Sequence, residues 1–193
     1  STNNIYATVR TVSNHPSGGS QYNTLLAAYN AASNGDTLML EGTSNPYNIE
    51  SGCYNQWSKS LVVIGTGYRP QKQNPLTSKI QYTGACFGEF RLALGSDGSK
   101  FYGIEFTTVV SISSNVTSIH FVNCLFNNTV AFNNNNAQNL VFRNSIFTNT
   151  SQCLVFGGSS NQVGNLYITN CLFNGYIEAN GNINSSMTIN HCL

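Results

Sequence analysis

The chain has 193 residues, enough for one domain with a continuous core, but only 8% of them are Asp, Glu, Lys or Arg and the formal net charge is +1. That balance supplies no basic stripe for nucleic acid, and no apolar run reaches the roughly 20 residues a membrane helix needs. With 40% hydrophobic residues the chain can still bury a core, while Asn, Ser, Thr and Gly provide its polar surface, a composition that suits a secreted or cell-surface setting.

In chain order, residues 1–19 read as a strand followed by a polar loop with Pro16, Gly18 and Gly19. Tyr22 to Ser33 (YNTLLAAYNAAS) reads as a short amphipathic helix. Residues 1–35 are therefore assigned to an N-terminal strand, loop and capping helix, and 36–193 to a stack of short strands, in one domain overall. A long irregular insertion, Gly65 to Ser78, carries Pro70 and Pro75, and a second runs from Gly157 to Gly164.

The second half of the chain aligns with itself. Ile119 to Phe126 (IHFVNCLF), Leu140 to Phe147 (LVFRNSIF), Leu166 to Phe173 (LYITNCLF) and Met187 to Leu193 (MTINHCL) are copies of one unit, and Phe101 to Phe106 is a degenerate earlier one. The copies are offset by 20, 21, 26 and 21 residues. Each alternates apolar with polar residues, as a strand does, then breaks at Asn, a residue that tolerates a left-handed corner. Such a period predicts a solenoid in which like residues of successive coils form columns. Asn123, Asn144, Asn170 and His191 fall in one column, Cys124, Ser145, Cys171 and Cys192 in a second, and Phe126, Phe147 and Phe173 in a third. All three read as structural. Leu125, Ile146 and Leu172 lie between inward positions, so alternation predicts an exposed aliphatic stripe, unless the corner shifts the register and buries them.

The strand–Asn–small residue–x–Phe pattern, with the helix and the following Gly35-Asp36-Thr37 segment, resembles the pectate-lyase-like superfamily over roughly residues 20–193. The resemblance implies an all-β fold, a right-handed parallel β-helix of about seven coils with a short N-terminal capping helix. It also implies that lyase or hydrolase chemistry on polysaccharide is open to the chain, with calcium as a cofactor if it is a lyase; otherwise no cofactor is expected.

Six of the seven carboxylates lie before residue 106, and Glu178 alone lies beyond it. Glu89, Arg91, Asp97, Lys100 and Glu105 fall within about one coil and are the candidate catalytic group, since two carboxylates beside a base can serve as acid and base on a glycoside; the plainer reading is solvated strand and turn charges. Asp36 reads as a structural turn residue. His120, Arg143 and Tyr167, with Val122 and Thr169 alongside, are predicted to face outward together and are the candidate ligand-binding set; ordinary surface decoration is the alternative. The six cysteines include no CxxC pair, so no metal site is expected. Cys53 and Cys86 lie outside the repeat and are a candidate disulfide. Sequons at Asn115, Asn127, Asn149 and Asn184 are expected by chance in so Asn-rich a chain.

Three functions fit the sequence: a non-catalytic surface β-helix that binds carbohydrate, adheres or acts as a stalk; a polysaccharide lyase or hydrolase; and an ice-binding face, for which Thr129 and Thr150 are too irregular a Thr array. The expected partners are a polysaccharide or another protein domain, with neither nucleic acid nor membrane insertion. Leu193 falls in mid-unit, so continuation of the chain, a covering partner, or self-association through this coil or the stripe of Leu125, Ile146 and Leu172 is expected.

Overall fold

A computed structural model describes residues 7–49, 56–67, 76–83, 88–113, 115–133, 136–157, 162–179 and 186–193. Strand β1 (Val9–Val12) and helix α1 (Leu25–Ala31) come first. The first coil is β2 (Thr37–Leu40), β3 (Tyr47–Asn48) and β4 (Gln56–Trp57), and the second is β5 (Val62–Ile64), β6 (Ser78–Gln81) and β7 (Glu89–Leu92). The third is β8 (Lys100–Tyr102), β9 (Ile104–Phe106) and β10 (Val109–Ser113), and the fourth is β11 (His120–Val122), β12 (Leu125–Phe126) and β13 (Val130–Asn133). The fifth is β14 (Asn136–Arg143), β15 (Ile146–Phe147) and β16 (Gln152–Gly157), and the sixth is β17 (Gln162–Thr169), β18 (Leu172–Phe173) and β19 (Tyr176–Ala179). β20 (Met187–Asn190) begins another turn.

Every third strand pairs in parallel with its counterpart in the next coil. Sheet A runs β1-β2-β5-β8-β11-β14-β17-β20, sheet B collects β3, β6, β9, β12, β15 and β18, and sheet C collects β4, β7, β10, β13, β16 and β19. The fold is thus an all-β parallel solenoid, with six complete turns against the roughly seven expected. Among the described residues no helix is long and apolar enough to cross a membrane.

Alternation puts one column of each strand inside. In sheet A, Phe101, Phe121 and Phe142 stack at 5.2 and 5.1 Å between ring centroids. In sheet B, Phe106, Phe126, Phe147 and Phe173 stack at 5.3, 4.7 and 4.5 Å with ring planes within 11° of parallel. Rings repeat at nearly the strand spacing because register is in phase from coil to coil.

The corner from sheet A to sheet B is a single left-handed residue: Gly103, Asn123, Asn144, Asn170 and His191 have φ between 50° and 63°. Each of the first four donates its N–H to the carbonyl of the residue before the next corner, as Asn123 N does to Arg143 O at 3.0 Å. Asn170 Nδ2 also donates to Asn144 Oδ1 at 3.2 Å. At Gly103 a Cβ would stand 2.7 Å from the Gly67 nitrogen, so no Asn fits there. A second left-handed column precedes it by five residues in the third to sixth coils: Gly98, Ser118, Asn139 and Asn165. It has its own ladder, with Asn165 Nδ2 donating to Asn139 Oδ1 at 3.1 Å and Ser186 Oγ to Asn165 Oδ1 at 3.0 Å.

Helix α1 covers the first coil, with Leu25 and Ala28 buried in the core. It is shorter than the sequence pattern predicts. Tyr22 is held extended by bridging Val12, so the helix starts only after Thr24, whose hydroxyl accepts from Ala27 N at 3.1 Å. At the other end Lys59 Nζ donates to the carbonyls of Tyr29, Asn30 and Ala32 at 2.7 to 3.1 Å, satisfying groups the last turn leaves open.

Candidate binding face

The five residues of the candidate catalytic group lie on different faces. Glu89 and Arg91 point outward from β7 on sheet C and pair with each other. Asp97 stands in the loop before sheet A, where its Oδ1 accepts the Thr117 N–H at 2.7 Å. Lys100 is on the outer face of sheet A, and Glu105 on that of sheet B. Glu105 is nearly buried, accepting from the Thr77 hydroxyl and from Asn127 Nδ2 at 2.9 Å, with Lys79 Nζ at 4.0 Å. The solenoid forces this dispersal: residues a third of a coil apart sit on different sides, so closeness in sequence does not bring them together. Each of these carboxylates has a hydrogen-bonding or ionic partner within the protein.

The stripe on sheet B is in register, with Leu125 beside Ile146 and Ile146 beside Leu172, but it is not uniformly exposed. Leu172 is 46% exposed and Ile146 intermediate, whereas Leu125 is buried at 5%. Leu125 is paired with Glu105, and Asn127, two residues on, bonds that same carboxylate, so the pair closes over it. The expectation of exposure is therefore corrected at Leu125.

The candidate ligand set fares differently. Phe121, Phe142 and Ile168 are fully buried, so His120, Val122, Val141, Arg143, Tyr167 and Thr169 face out from β11, β14 and β17. Register places Lys100, His120, Val141 and Tyr167 in one outward column, and Tyr102, Val122, Arg143 and Thr169 in the next. Neighbours in a column are one strand spacing apart, about 4.8 Å. Burial, then the nearby Lys100 and Arg143 charges, hold the His120 imidazole below its ordinary value. Lys100, Tyr102 and Val141 are members of this face not expected from the sequence: the degenerate third-coil copy starts at Phe101, so Lys100 fell outside the repeat. The residue preceding each inward Phe or Ile was the signal.

A cavity of about 310 Å³ lies between α1 and the start of sheet C, with Tyr29, Trp57 and Phe90 in its wall and the Glu89–Arg91 pair at its edge. Cys124, Cys153, Cys171 and Cys192 are free thiols. Burial pushes Cys124 up to about 12 and Cys171 up to about 11, which makes both poor nucleophiles. Cys53 and Cys86, the candidate disulfide, lie outside the described residues. Asp36 is a structural hub: Oδ1 accepts from Thr8 N, and Oδ2 from Ser33 N and from both Arg10 Nε and Nη2, at 2.8 to 3.1 Å.

Comparison of the chain with family models, curated proteins and solved structures finds no match. The architecture is a parallel β-solenoid, and function has to be argued from its surfaces.

Proposed function

We propose that the chain is a non-catalytic, polysaccharide-binding module of a secreted or cell-surface β-helix protein, built on the plan of the pectate-lyase-like superfamily, and that the outer face of sheet A is its binding surface. The observation that carries this reading is the composition of that face: eight parallel strands present Tyr102 and Tyr167 as rings, Thr169 and His120 as hydrogen-bonding groups and Val62, Val122 and Val141 as apolar ground. Such a mixture suits a sugar chain, whose ring faces are apolar and whose edges are hydroxyls. The dispersed carboxylates favour binding over cleavage, because acid and base must flank a single bond.

The test is a panel of polysaccharides assayed on one sample for gel retardation and for release of reducing ends and unsaturated products, with and without calcium. Retardation without product, weakened severalfold by Tyr167→Ala, is the expected result. Product release that disappears in Glu89→Ala or Glu105→Ala would overturn the proposal in favour of a lyase or hydrolase.

A further inference from the structure

Charge is sparse in this chain, and its placement is uneven. Six Lys and Arg side chains lie among the described residues. Four are engaged: Arg10 with Asp36, Lys59 with the helix carbonyls, Lys79 with Glu105 and Arg91 with Glu89. The other two, Lys100 and Arg143, have no carboxylate or carbonyl partner among the described residues. Both stand on the outer face of sheet A, on β8 and β14, and the strand between them, β11, carries His120. Each described carboxylate lies elsewhere: Asp36, Glu41 and Asp97 in the connections between sheets, Glu105 on sheet B, Glu89 and Glu178 on sheet C. Two cations held on a flat face, flanking a titratable ring with no counter-charge, make a local positive field in a protein whose net charge is only +1.

We propose that Lys100, His120 and Arg143 form an anion-binding site on sheet A, which takes the sulfate-ester or carboxylate groups of a polysaccharide laid across the strands. The inference rests on the polysaccharide reading above and adds the charge class of the ligand. Lys100 and His120 are adjacent in one column, and Arg143 lies on the next strand in the neighbouring column, so the three surround a patch about two strand spacings high. Arg offers a planar fork to an oxyanion and Lys a point charge. Tyr167 and Tyr102 border the patch in the two columns, positioned to support the ring that carries the anionic group. The charged and titratable groups facing His120 are Lys100 and Tyr102 from β8, Arg143 from β14 and Tyr167 from β17; the carboxylate nearest to Lys100 in sequence, Asp97, is turned to the Thr117 N–H, and Glu105 is engaged on sheet B by Thr77 and Asn127. Burial, and after it Lys100 and Arg143, disfavour imidazolium in the free protein. A bound anion reverses that field, so anion binding and His120 protonation assist each other.

The test uses three gels with one backbone: dextran, carboxymethyl-dextran and dextran sulfate, in low-salt buffer. The wild-type chain is expected to be retarded by an anionic gel and not by neutral dextran, with salt abolishing the effect. Lys100→Ala and Arg143→Ala each weaken retardation by roughly two- to fivefold, the range for one exposed charge pair. Lys79→Ala, an equal charge change on sheet B, leaves it unaltered. On dextran sulfate, whose charge does not titrate, binding strengthens as the pH falls below the ordinary His value, and His120→Gln removes that rise. Retention on the sulfated gel alone, or on the carboxylated gel alone, supports the site and identifies its group. Equal retardation on neutral dextran overturns the anion site and leaves the polysaccharide reading standing. Weakening by Lys79→Ala equal to that by Lys100→Ala, or a pH response unchanged in His120→Gln, overturns the three-residue site. Should the panel above show neutral polysaccharides bound and neither anionic gel retained, the anion site alone is wrong.

Discussion

Asn144 occupies a backbone region that costs most L-residues about 1–2 kcal/mol, at φ of 50°. Asn is the residue that enters it most readily after Gly, and its side chain here accepts from Asn170. Asn144→Ala is therefore expected to lower stability by about 1–2 kcal/mol, while Asn144→Gly, free of the backbone penalty, loses only the amide contact. Urea midpoints of the two variants decide this; Ala equal to or better than Gly would show that the corner conformation is not what selects Asn. The same chemistry explains which corner could be read from sequence. Asn123, Asn144 and Asn170 share one identity and stand next to a small residue and a Phe. The upstream corner mixes Gly98, Ser118, Asn139 and Asn165, so no shared identity marks it, and only the backbone φ values show it. At the cysteines burial makes a sharper prediction. Cys124, Cys153 and Cys171 are buried and Cys192 only half so. Brief alkylation of the native chain at mildly alkaline pH, read by peptide mass spectrometry, is expected to label Cys192 before those three. Early labelling of Cys124 would contradict its enclosed position.

Asp36 ties β1 and the end of the cap to the start of the first coil through Thr8, Arg10 and Ser33. Burial of Asp36 opposes its ionisation, but the N–H groups of Ser33 and Thr8 and the Arg10 guanidinium outweigh burial and hold its carboxyl below the ordinary carboxylate value. A carboxyl with a lowered folded-state value contributes stability in full above its unfolded value, near 3.8. That contribution is lost as the pH falls through the folded-state value. Stability is thus expected to fall with acidification below about pH 4, and Asp36→Asn should flatten that slope while costing roughly 1.5–3 kcal/mol at neutral pH. Denaturant titrations of both chains over this pH range are the measurement. An unchanged acid slope in Asp36→Asn would place the acid sensitivity elsewhere. Helix α1 itself was legible in sequence because Leu25, Ala28 and the following Asn34-Gly35 stop form an ordinary local pattern. Its start was not, since Tyr22 is kept extended by a contact with Val12, ten residues away, that no local pattern encodes.

The whole molecule behaves as a stack in which each coil touches only its neighbours. The repeat therefore revealed the fold, as each unit must satisfy the same column constraints. The binding face was less legible, because membership depends on register between coils: Lys100 joins His120 only once β8 is paired with β11, and Glu89, Asp97 and Glu105 separate only once the coil is closed. Stacking also predicts a gradient of cost along a column. Phe126 is fully buried, with parallel rings at 5.3 and 4.7 Å on its two sides and Phe121 and Phe142 edge-on. Phe126→Ala opens a void between two ordered coils and is expected to cost about 3–5 kcal/mol. Phe173 is partly exposed and has a single described ring neighbour, Phe147 at 4.5 Å. Because Phe173 removes less surface from water, Phe173→Ala is expected to cost below about 2 kcal/mol. Phe126→Leu, which fills part of the void, should fall between wild type and Phe126→Ala and guards against the Ala variant failing to fold. Equal costs for Phe126→Ala and Phe173→Ala in urea would mean that stability is not set by contacts between adjacent coils.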